Sequence, residues 1–314
     1  MIAAYVVDYL RSPFTQAHKG ALAAVRPDDL AASVIKALVH RSGIDPEAIE
    51  DVILGCAFAE GEQGLNIGRT ASVIAGLPQT VGGSTVNRWC GSSMQAAQAA
   101  AGAIAMGAGD VFIAGGVETM TRVPMMGFNP MPNPAWSSDL RSAFLNMGLT
   151  AENLADRYKI DREEQDSYAL ESQKRAAAAQ ADGRLSQEIS PVATEDGFVE
   201  ADGCVRGQTA IEKLAQLKTA FAENGSVTAG NSSPLTDGAS AMLICSETFV
   251  RDHNLTPKAR IASYAVSGCA PEVMGIGPVN ATRKAIQRAG IKTSDLAVIE
   301  MNEAFAVQVL ACCR

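Results

Sequence analysis

A chain of 314 residues that is 47% hydrophobic and 19% charged has room for one large or two ordinary domains and a sizeable core. Its net charge of −8 argues against nucleic acid or an anionic membrane as the main partner, while leaving room for an anionic ligand in a local basic pocket. The seven cysteines (Cys56, Cys90, Cys204, Cys245, Cys269, Cys312 and Cys313) are scattered without a C-x-x-C pair, and only three histidines accompany them. Neither a disulfide scaffold nor a metal site is therefore expected, and a reducing cytoplasm fits.

The opening MIAAYVVDYLRSP lacks a basic start and a cleavage site, so it reads as a first strand rather than a signal peptide, and no apolar run approaches membrane-spanning length. Tyr5 to Val7 forms its centre, and Arg11 to Phe14 leaves it in a loop. Asp28 and Asp29 occupy the first turn of a helix running through Leu30, Val34, Leu38 and Val39, which Ser42-Gly43 ends. A turn over Pro46 to Ile49 precedes a strand, Asp51 to Gly55. A helix over Asn66 to Ala75 closes at Gly76-Leu77-Pro78.

The stretch Ser84 to Glu118 is the centre of the chain. A short extended piece ends at Asn87. Cys90 and three small residues follow, and an Ala-rich helix runs from about Met94 to Met106. Gly107-Ala108-Gly109 ends it, and Val111 to Ala114 reads as a buried strand leading into Gly115-Gly116. A cysteine between a strand and a helix N-terminus meets backbone N–H groups and a dipole that favour the thiolate. The same residue type is also a common small core hydrophobe. From the residues alone the two readings stand level.

Beyond Thr121 the texture changes. Val123 to Trp136 is rich in Met, Pro and Asn and is expected to be irregular, with polar helices over Ala151 to Tyr158 and Glu163 to Ala181. Core-like sequence returns at Val227 to Ser233 and Gly238 to Ile244, and Arg260 to Ala265 reads as a strand. Apart from one extra residue in the earlier helix, Lys284 to Ile291, with Asp295-Leu296 and Val298 to Glu300, echoes the order of Lys36 to Ile44, Ala48-Ile49 and Asp51 to Ile53 (helix, Gly turn, strand), with chance similarity of two amphipathic helices as the alternative. The pattern predicts an α/β protein of two similar halves with largely buried sheets. The expected division is 1–120 with 208–250 as a first half, 121–207 as an inserted loop or cap, and 256–314 as part of a second half. No P-loop, G-x-S-x-G or dinucleotide fingerprint supports a nucleotide-hydrolysing or redox enzyme.

Val86 to Ala96, with Cys90 at its centre, resembles the nucleophile motif of the thiolases, and Ala114 to Met120 resembles the strand and turn after it. Met147 to Asn153, Val227 to Ser233 with Asp237 to Ala239, Met274 to Pro278 and Asn302 to Ala306 are similar to later family blocks. The resemblance runs in order from Tyr5 to Arg314. It implies a thiolase-like fold, two βαβ-type halves in a layered α/β/α/β/α arrangement with an inserted loop domain. It also implies acyl transfer with coenzyme A as substrate and no further cofactor. In that chemistry Cys90 attacks the 3-keto carbon of a 3-ketoacyl-CoA, acetyl-CoA departs, and a second CoA releases the shortened acyl chain.

By the same resemblance Asn302 helps hold the oxyanion site through a water, and Glu303 is structural rather than a base. Met147 and Met274 line the acyl and pantetheine pocket, Ala229 and Ser233 lie in the loop that contacts pantetheine, and Ala304 and Phe305 flank the same channel. Lys218 matches a basic position near the CoA nucleotide; a solvated surface lysine is the equal alternative. Cys312 and Cys313 receive no role.

Asn146 stands where short-chain acetoacetyl-CoA thiolases have His, which favours the degradative 3-ketoacyl-CoA class of fatty-acid β-oxidation. The chain stops at Arg314, before the family's Gly-His-Pro motif and second catalytic cysteine. It is therefore expected to be inactive in thiolysis by itself and to leave apolar surface exposed. An acetoacetyl-CoA or β-ketoadipyl-CoA thiolase is the rival within the family, and a non-catalytic acyl-CoA-binding scaffold the rival outside it. Homodimers or homotetramers are the family's assemblies, and some degradative members pair with a hydratase–dehydrogenase subunit.

Overall fold

The computed structural model describes residues 2–135 and 143–314; Trp136, the end of the stretch expected to be irregular, lies outside them. In chain order the strands are β1 (Ala4–Arg11), β2 (Thr15–Gln16), β3 (Asp51–Gly55), β4 (Gly82–Val86), β5 (Val111–Thr119), β6 (Val192–Thr194), β7 (Gly197–Val199), β8 (Thr236–Ser246) and β9 (Ala259–Arg260). The helices are α1 (Pro27–Ser42), α2 (Ile67–Ile74), α3 (Ser92–Ala105), α4 (Met147–Tyr158), α5 (Arg162–Ala181), α6 (Ile211–Ala215), α7 (Glu247–Asp252), α8 (Gly277–Ala289) and α9 (Ala306–Cys313). They divide between two units. The first draws on Met1–Pro130, Asp182–Cys204 and Leu235–Ala262, the second on Met131–Ala181, Val205–Pro234 and Ser263–Arg314.

The first unit is built on a sheet of order β4-β3-β5-β8-β1-β9, with β2 beside β8. β3 runs parallel to β4 and β5, which requires crossovers, and α2 and α3 supply them. β5, β8, β1 and β9 pair antiparallel. Because successive side chains leave a strand on opposite faces, Val52, Leu54, Val111 and Ile113 enter one core with Leu30, Val34, Ile35 and Leu38 of α1. Ile53, Phe112 and Ala114 enter a second core with Ala96, Ala100 and Ile104 of α3. Both faces are covered, which is why these strands read as unbroken apolar runs. Gly43, in the left-handed region at φ 65°, closes α1 by donating its N–H to Val39 O, as the sequence predicts.

Residues 182–204 also belong to this unit. The β6–β7 hairpin adds Val192 to the α1 core, and Arg11 bridges Glu188 at 2.7 Å and Asp202 at 2.7 Å.

Strand lengths depart from the sequence reading. β5 continues through Gly115 and Gly116 to Thr119, because a Cβ at Gly115 would fall 2.0 Å from Ser240 O of the neighbouring β8. These glycines permit close strand approach rather than ending the strand. The strand expected over Arg260 to Ala265 is reduced to Ala259–Arg260, where Tyr5 and Val6 are its partners.

The second unit packs α4 and α9 around Ala151, Leu154, Val227, Val273, Val307 and Ala311. The predicted repeat recurs here in part. α8 ends at Gly290, again left-handed at φ 69°, and a 3-10 turn over Thr293–Asp295 follows, as Pro46–Ala48 follows α1. The expected strand over Val298 to Glu300 does not form among the described residues. A strand is completed by its neighbour, and no described strand pairs there; Val298 and Ile299 are 81% and 63% exposed.

Candidate active site

Cys90 lies in the turn between β4 and α3, and two glycines explain why that turn sits where it does. A Cβ at Gly55, the end of β3, would fall 2.3 Å from Ser92 C, and one at Gly116 in β5 would fall 2.1 Å from Ser93 Oγ. The first residues of α3 therefore rest directly on the end of β3 and on Gly116 within β5. Gly91 is the N-cap of α3 and no side chain caps it; Gly91 N and Ser92 N are taken up by Arg88 O and Trp89 O within the turn, which leaves the N–H groups of Ser93 and Met94 at the helix start without an intrahelical acceptor.

The turn itself is tight. Arg88 N donates to Ser92 Oγ at 2.8 Å, Ser92 Oγ donates to Trp89 O at 2.5 Å, and Gly91 N donates to Arg88 O at 3.0 Å. Trp89 adopts φ 49°, the left-handed region that bulky residues seldom enter. Cys90 is a free, exposed thiol at the apex. It takes no part in either core cluster of this unit. Cys56 and Cys245 are the fully buried cysteines, and desolvation, aided by Glu118 and Asp110 respectively, pushes both thiols up to about 12.

The sequence reading missed a polar cluster beneath this turn. Glu118, at the end of β5, accepts from Ala57 N at 2.7 Å, Phe58 N at 3.2 Å and Gln63 Nε2 at 2.7 Å. Cys56 Sγ donates to the same carboxylate at 3.7 Å. Gln63, fully buried, accepts from Thr119 N at 2.7 Å through its amide oxygen. Burial raises the Glu118 carboxyl pKa against the lowering effect of these bonds. A lone Glu after a strand and a Gln in a glycine-rich loop carried no periodic signal; only the pairing of β3 with β5 brings them together.

The remaining predicted site residues all belong to the second unit, where several meet. Ser233 N donates to Ala304 O at 2.8 Å, and Ala306 N donates to Asn231 O at 2.9 Å, so 231–233 runs beside 304–306. Phe305 stacks edge-on against Phe221 at 5.9 Å, and Phe221 in turn covers Gly148, where a Cβ would fall 2.1 Å from the ring. Met147, half-buried, is the first residue of α4 beside that contact. The loop holding Ala229 is braced by Asn231, whose amide donates to the buried Asp166 at 3.0 Å and accepts from Thr228 N at 2.8 Å. Asp166 also accepts from Arg162 at 2.7 Å.

Asn302 is exposed. Its neighbour Glu303 accepts from Tyr168 Oη at 2.7 Å and from Ser172 Oγ, which ties the 302–305 loop to α5. Met274 sits in the 3-10 turn Pro271–Ile276, which Gln308 and Cys312 hold through Gly275 O at 3.0 and 3.2 Å. Cys312 is thus a structural donor.

Lys218 is exposed. The residue before it, Leu217, lines a hollow of about 470 Å³ shared with Arg206, Thr209, Lys213 and Leu214. Arg206 and Lys213 were not singled out from the sequence, since isolated basic residues in a polar stretch have no distinguishing spacing. Among the described residues no cluster of three or more His, Cys, Asp or Glu side chains could hold a metal ion.

An exposed cysteine at the start of a helix that rests on a doubly covered sheet is a placement that suits covalent catalysis. The family description "Thiolase, N-terminal domain" matches residues 4–248, and "Thiolase, C-terminal domain" matches residues 255–314. A 3-ketoacyl-CoA thiolase of Shewanella sp. (strain MR-7) is 47% identical, over 100% of this chain and 83% of that protein. A 3-oxoadipyl-CoA/3-oxo-5,6-dehydrosuberyl-CoA thiolase of Escherichia coli (strain K12) is 44% identical, over 100% of this chain and 84% of that protein. The crystal structure of human mitochondrial 3-ketoacyl-CoA thiolase in complex with CoA superimposes with a TM-score of 0.91 at 36% identity, over 99% of this chain and 82% of that one. The chain belongs to the thiolase family and has the thiolase fold.

Proposed function

We propose that this protein is an acetyl-CoA C-acyltransferase, a 3-ketoacyl-CoA thiolase of fatty-acid β-oxidation. The Cys90 sulfur attacks C3 of a 3-ketoacyl-CoA as the thiolate. The C2–C3 bond breaks, its electron pair becoming the enolate of acetyl-CoA, and the acyl group stays on Cys90 as a thioester. The enolate takes up a proton, and the thiol of a second CoA gives one up as it attacks the thioester, so the shortened acyl-CoA leaves and the Cys90 thiolate returns. The observation that carries this reading is the exposed Cys90 at the N-terminal end of α3, inside a family match that spans both parts of the chain.

In this reading Asn302 serves the oxyanion site. Met147, Met274, Ala229, Ser233, Ala304 and Phe305 contact the acyl–pantetheine arm, and Lys218 with Arg206 and Lys213 faces the CoA phosphates. The division into 1–120 with 208–250, 121–207 and 256–314, a homodimer or homotetramer, a hydratase–dehydrogenase partner and a cytoplasmic location belong to the same proposal. Among the described residues no helix is long and apolar enough to cross a membrane.

Intact-mass spectrometry after incubation with a 3-ketoacyl-CoA tests it. An acyl adduct on the native chain that Cys90→Ser abolishes is the expected result. No adduct, with Cys90 still open to iodoacetamide, overturns the reading in favour of an acyl-CoA-binding scaffold. The likeness to the 3-oxoadipyl-CoA thiolase supports a second reading, a β-ketoadipyl-CoA thiolase. Comparing adduct formation from 3-oxoadipyl-CoA, acetoacetyl-CoA and longer 3-ketoacyl-CoAs separates the two.

A further inference from the structure

We propose that Asn87 is a positioning residue for the nucleophile, joining the Cys90 turn to a template segment, residues 56–58, that Glu118 and Gln63 hold rigid. The proposal rests on the reading of Cys90 as the acyl-accepting nucleophile.

The turn carries a conformational burden at Trp89, the residue immediately before Cys90, whose φ of 49° is unfavourable for an aromatic side chain. Such a conformation persists only where its surroundings over-determine it. Three contacts do so. Asn87 Oδ1 accepts from Trp89 N at 2.8 Å. Ser92 Oγ closes the turn from the helix side. The Trp89 ring meets Phe58 edge-on with centroids 5.6 Å apart.

Asn87 reaches beyond the turn. Its Nδ2 donates to Ala57 O at 2.9 Å, so one amide group grips the nucleophile turn with its oxygen and the 56–58 segment with its nitrogen. Neither Asp, which lacks the donor, nor Ser, which lacks the reach, reproduces both bonds.

A brace is only as stiff as what it rests on. Residues 56–58 leave β3 as a loop, and a loop would ordinarily be mobile. Here Glu118 accepts from Ala57 N and Phe58 N, and Gln63 Nε2 donates to Phe58 O at 2.8 Å. Gln63 is itself fixed by Thr119, and Glu118 and Thr119 are the last residues of β5, a central strand. The line of support runs from strand β5 through residues 56–58 and Asn87 to Trp89 and Cys90. A partly buried carboxylate whose accepted bonds come from one loop and from the Gln that clamps it is placed to order that loop.

The test compares Asn87→Ala, Asn87→Asp and Glu118→Gln with the native chain. It reads the rate of Cys90 acylation by a 3-ketoacyl-CoA, the rate of Cys90 alkylation by iodoacetamide against pH, and Tm. A small displacement of a reacting group can slow a reaction by roughly a hundredfold, and Asn87→Ala is expected to slow acylation by roughly ten- to a hundredfold. Its alkylation rate at high pH, where the thiol is fully ionised and geometry matters least, is expected to stay close to native. Asn87→Asp keeps the acceptor for Trp89 N but removes the donor to Ala57 O and adds a negative charge beside the turn; an intermediate loss of acylation is expected, and the pH dependence of alkylation separates the charge from the lost link. Combining Asn87→Ala with Glu118→Gln is expected to slow acylation by less than the product of the single effects, because both cut one line of support.

Native-like acylation by Asn87→Ala and Asn87→Asp overturns the proposal while leaving the functional reading intact. Parallel losses in acylation, alkylation and Tm also overturn it, since they mark a general loss of structure. A native chain that takes no acyl group at all removes the functional reading and this proposal with it.

Discussion

Gly116 and Ser93 stand so close that a Cβ on the glycine would lie 2.1 Å from the serine Oγ. This contact sets the height of α3, and with it Cys90, above β5. Gly116→Ala is expected to destabilise the protein by about 1–3 kcal/mol as an overpacking change, and to slow Cys90 acylation through displacement of the helix start. Urea unfolding and the acylation assay check the two effects. Unchanged acylation with lowered stability would show that the nucleophile turn is uncoupled from this packing.

The buried thiols give the protein an alkaline limit. Burial pushes Cys56 and Cys245 up to about 12, whereas an unfolded cysteine titrates near 8.5. The folded state therefore keeps two protons that the unfolded chain releases. The stabilisation is complete below the unfolded pKa and falls as pH rises from there through about 12. Each thiol contributes a slope of about 1.4 kcal/mol per pH unit in that window. Urea unfolding between about pH 8 and 10 is expected to show the decline, and Cys56→Ala to reduce its slope by one proton. In the folded protein the exposed Cys90 is expected to alkylate while Cys56 and Cys245 stay unmodified at neutral pH. An unaltered slope in Cys56→Ala would refute the assignment.

Much of this architecture is legible in the sequence because its signals are local. The periodic Leu30, Val34 and Leu38, the first-turn Asp28 and Asp29 and the closing Gly43 specify α1 within sixteen residues. The position of Cys90 between an extended piece and an Ala-rich helix is likewise a local pattern, and the family motifs then point to Asn302 and its neighbours. What escaped is what depends on partners distant in sequence. Gly115-Gly116 looks like a strand end until Ser240 of β8 is laid beside it. Glu118 and Gln63 acquire meaning only when the parallel pairing of β3 and β5 places one above the other. Val298-Ile299 has the composition of a strand, but a strand also needs a neighbour.

Asp166 is the keystone of the loop that holds Ala229 and Ser233. Its carboxylate, 2% exposed, accepts from Arg162 and from the Asn231 amide, while the Asn231 oxygen secures Thr228 N. Asp166→Ala leaves a guanidinium, itself only 25% exposed, without its charge partner. Removing one member of such a pair costs up to about 3–5 kcal/mol when both are buried, and Arg162's residual exposure places the expected loss nearer about 2 kcal/mol. Asp166→Asn, which keeps an acceptor for one partner, is expected to lose less. Because the loop runs beside Ala304, the same variant is expected to bind CoA more weakly, as read by calorimetry. Native-like CoA affinity in a destabilised Asp166→Ala would separate the loop's stability from ligand binding.

The hollow beside Leu217 offers a test of where the CoA phosphates sit. Arg206 and Lys213 line it, and Lys218 follows it in sequence, a concentration of positive charge in a chain whose net charge is −8. A charge-assisted hydrogen bond contributes about 1.5–3 kcal/mol, so Arg206→Ala or Lys213→Ala is expected to weaken CoA binding by roughly tenfold or more. Pantetheine lacks the nucleotide phosphates, and its affinity is expected to be unaffected by the same substitutions. The loss should also shrink as salt rises toward the range where the Debye length is about 3 Å, because the hollow is open to solvent. Lys218→Ala places the third cation in or out of this group: a CoA-selective loss assigns it to the phosphates, whereas no change assigns it to the solvated surface. Equal weakening of CoA and pantetheine by Arg206→Ala and Lys213→Ala would mean that these residues shape the loop rather than contact the phosphates.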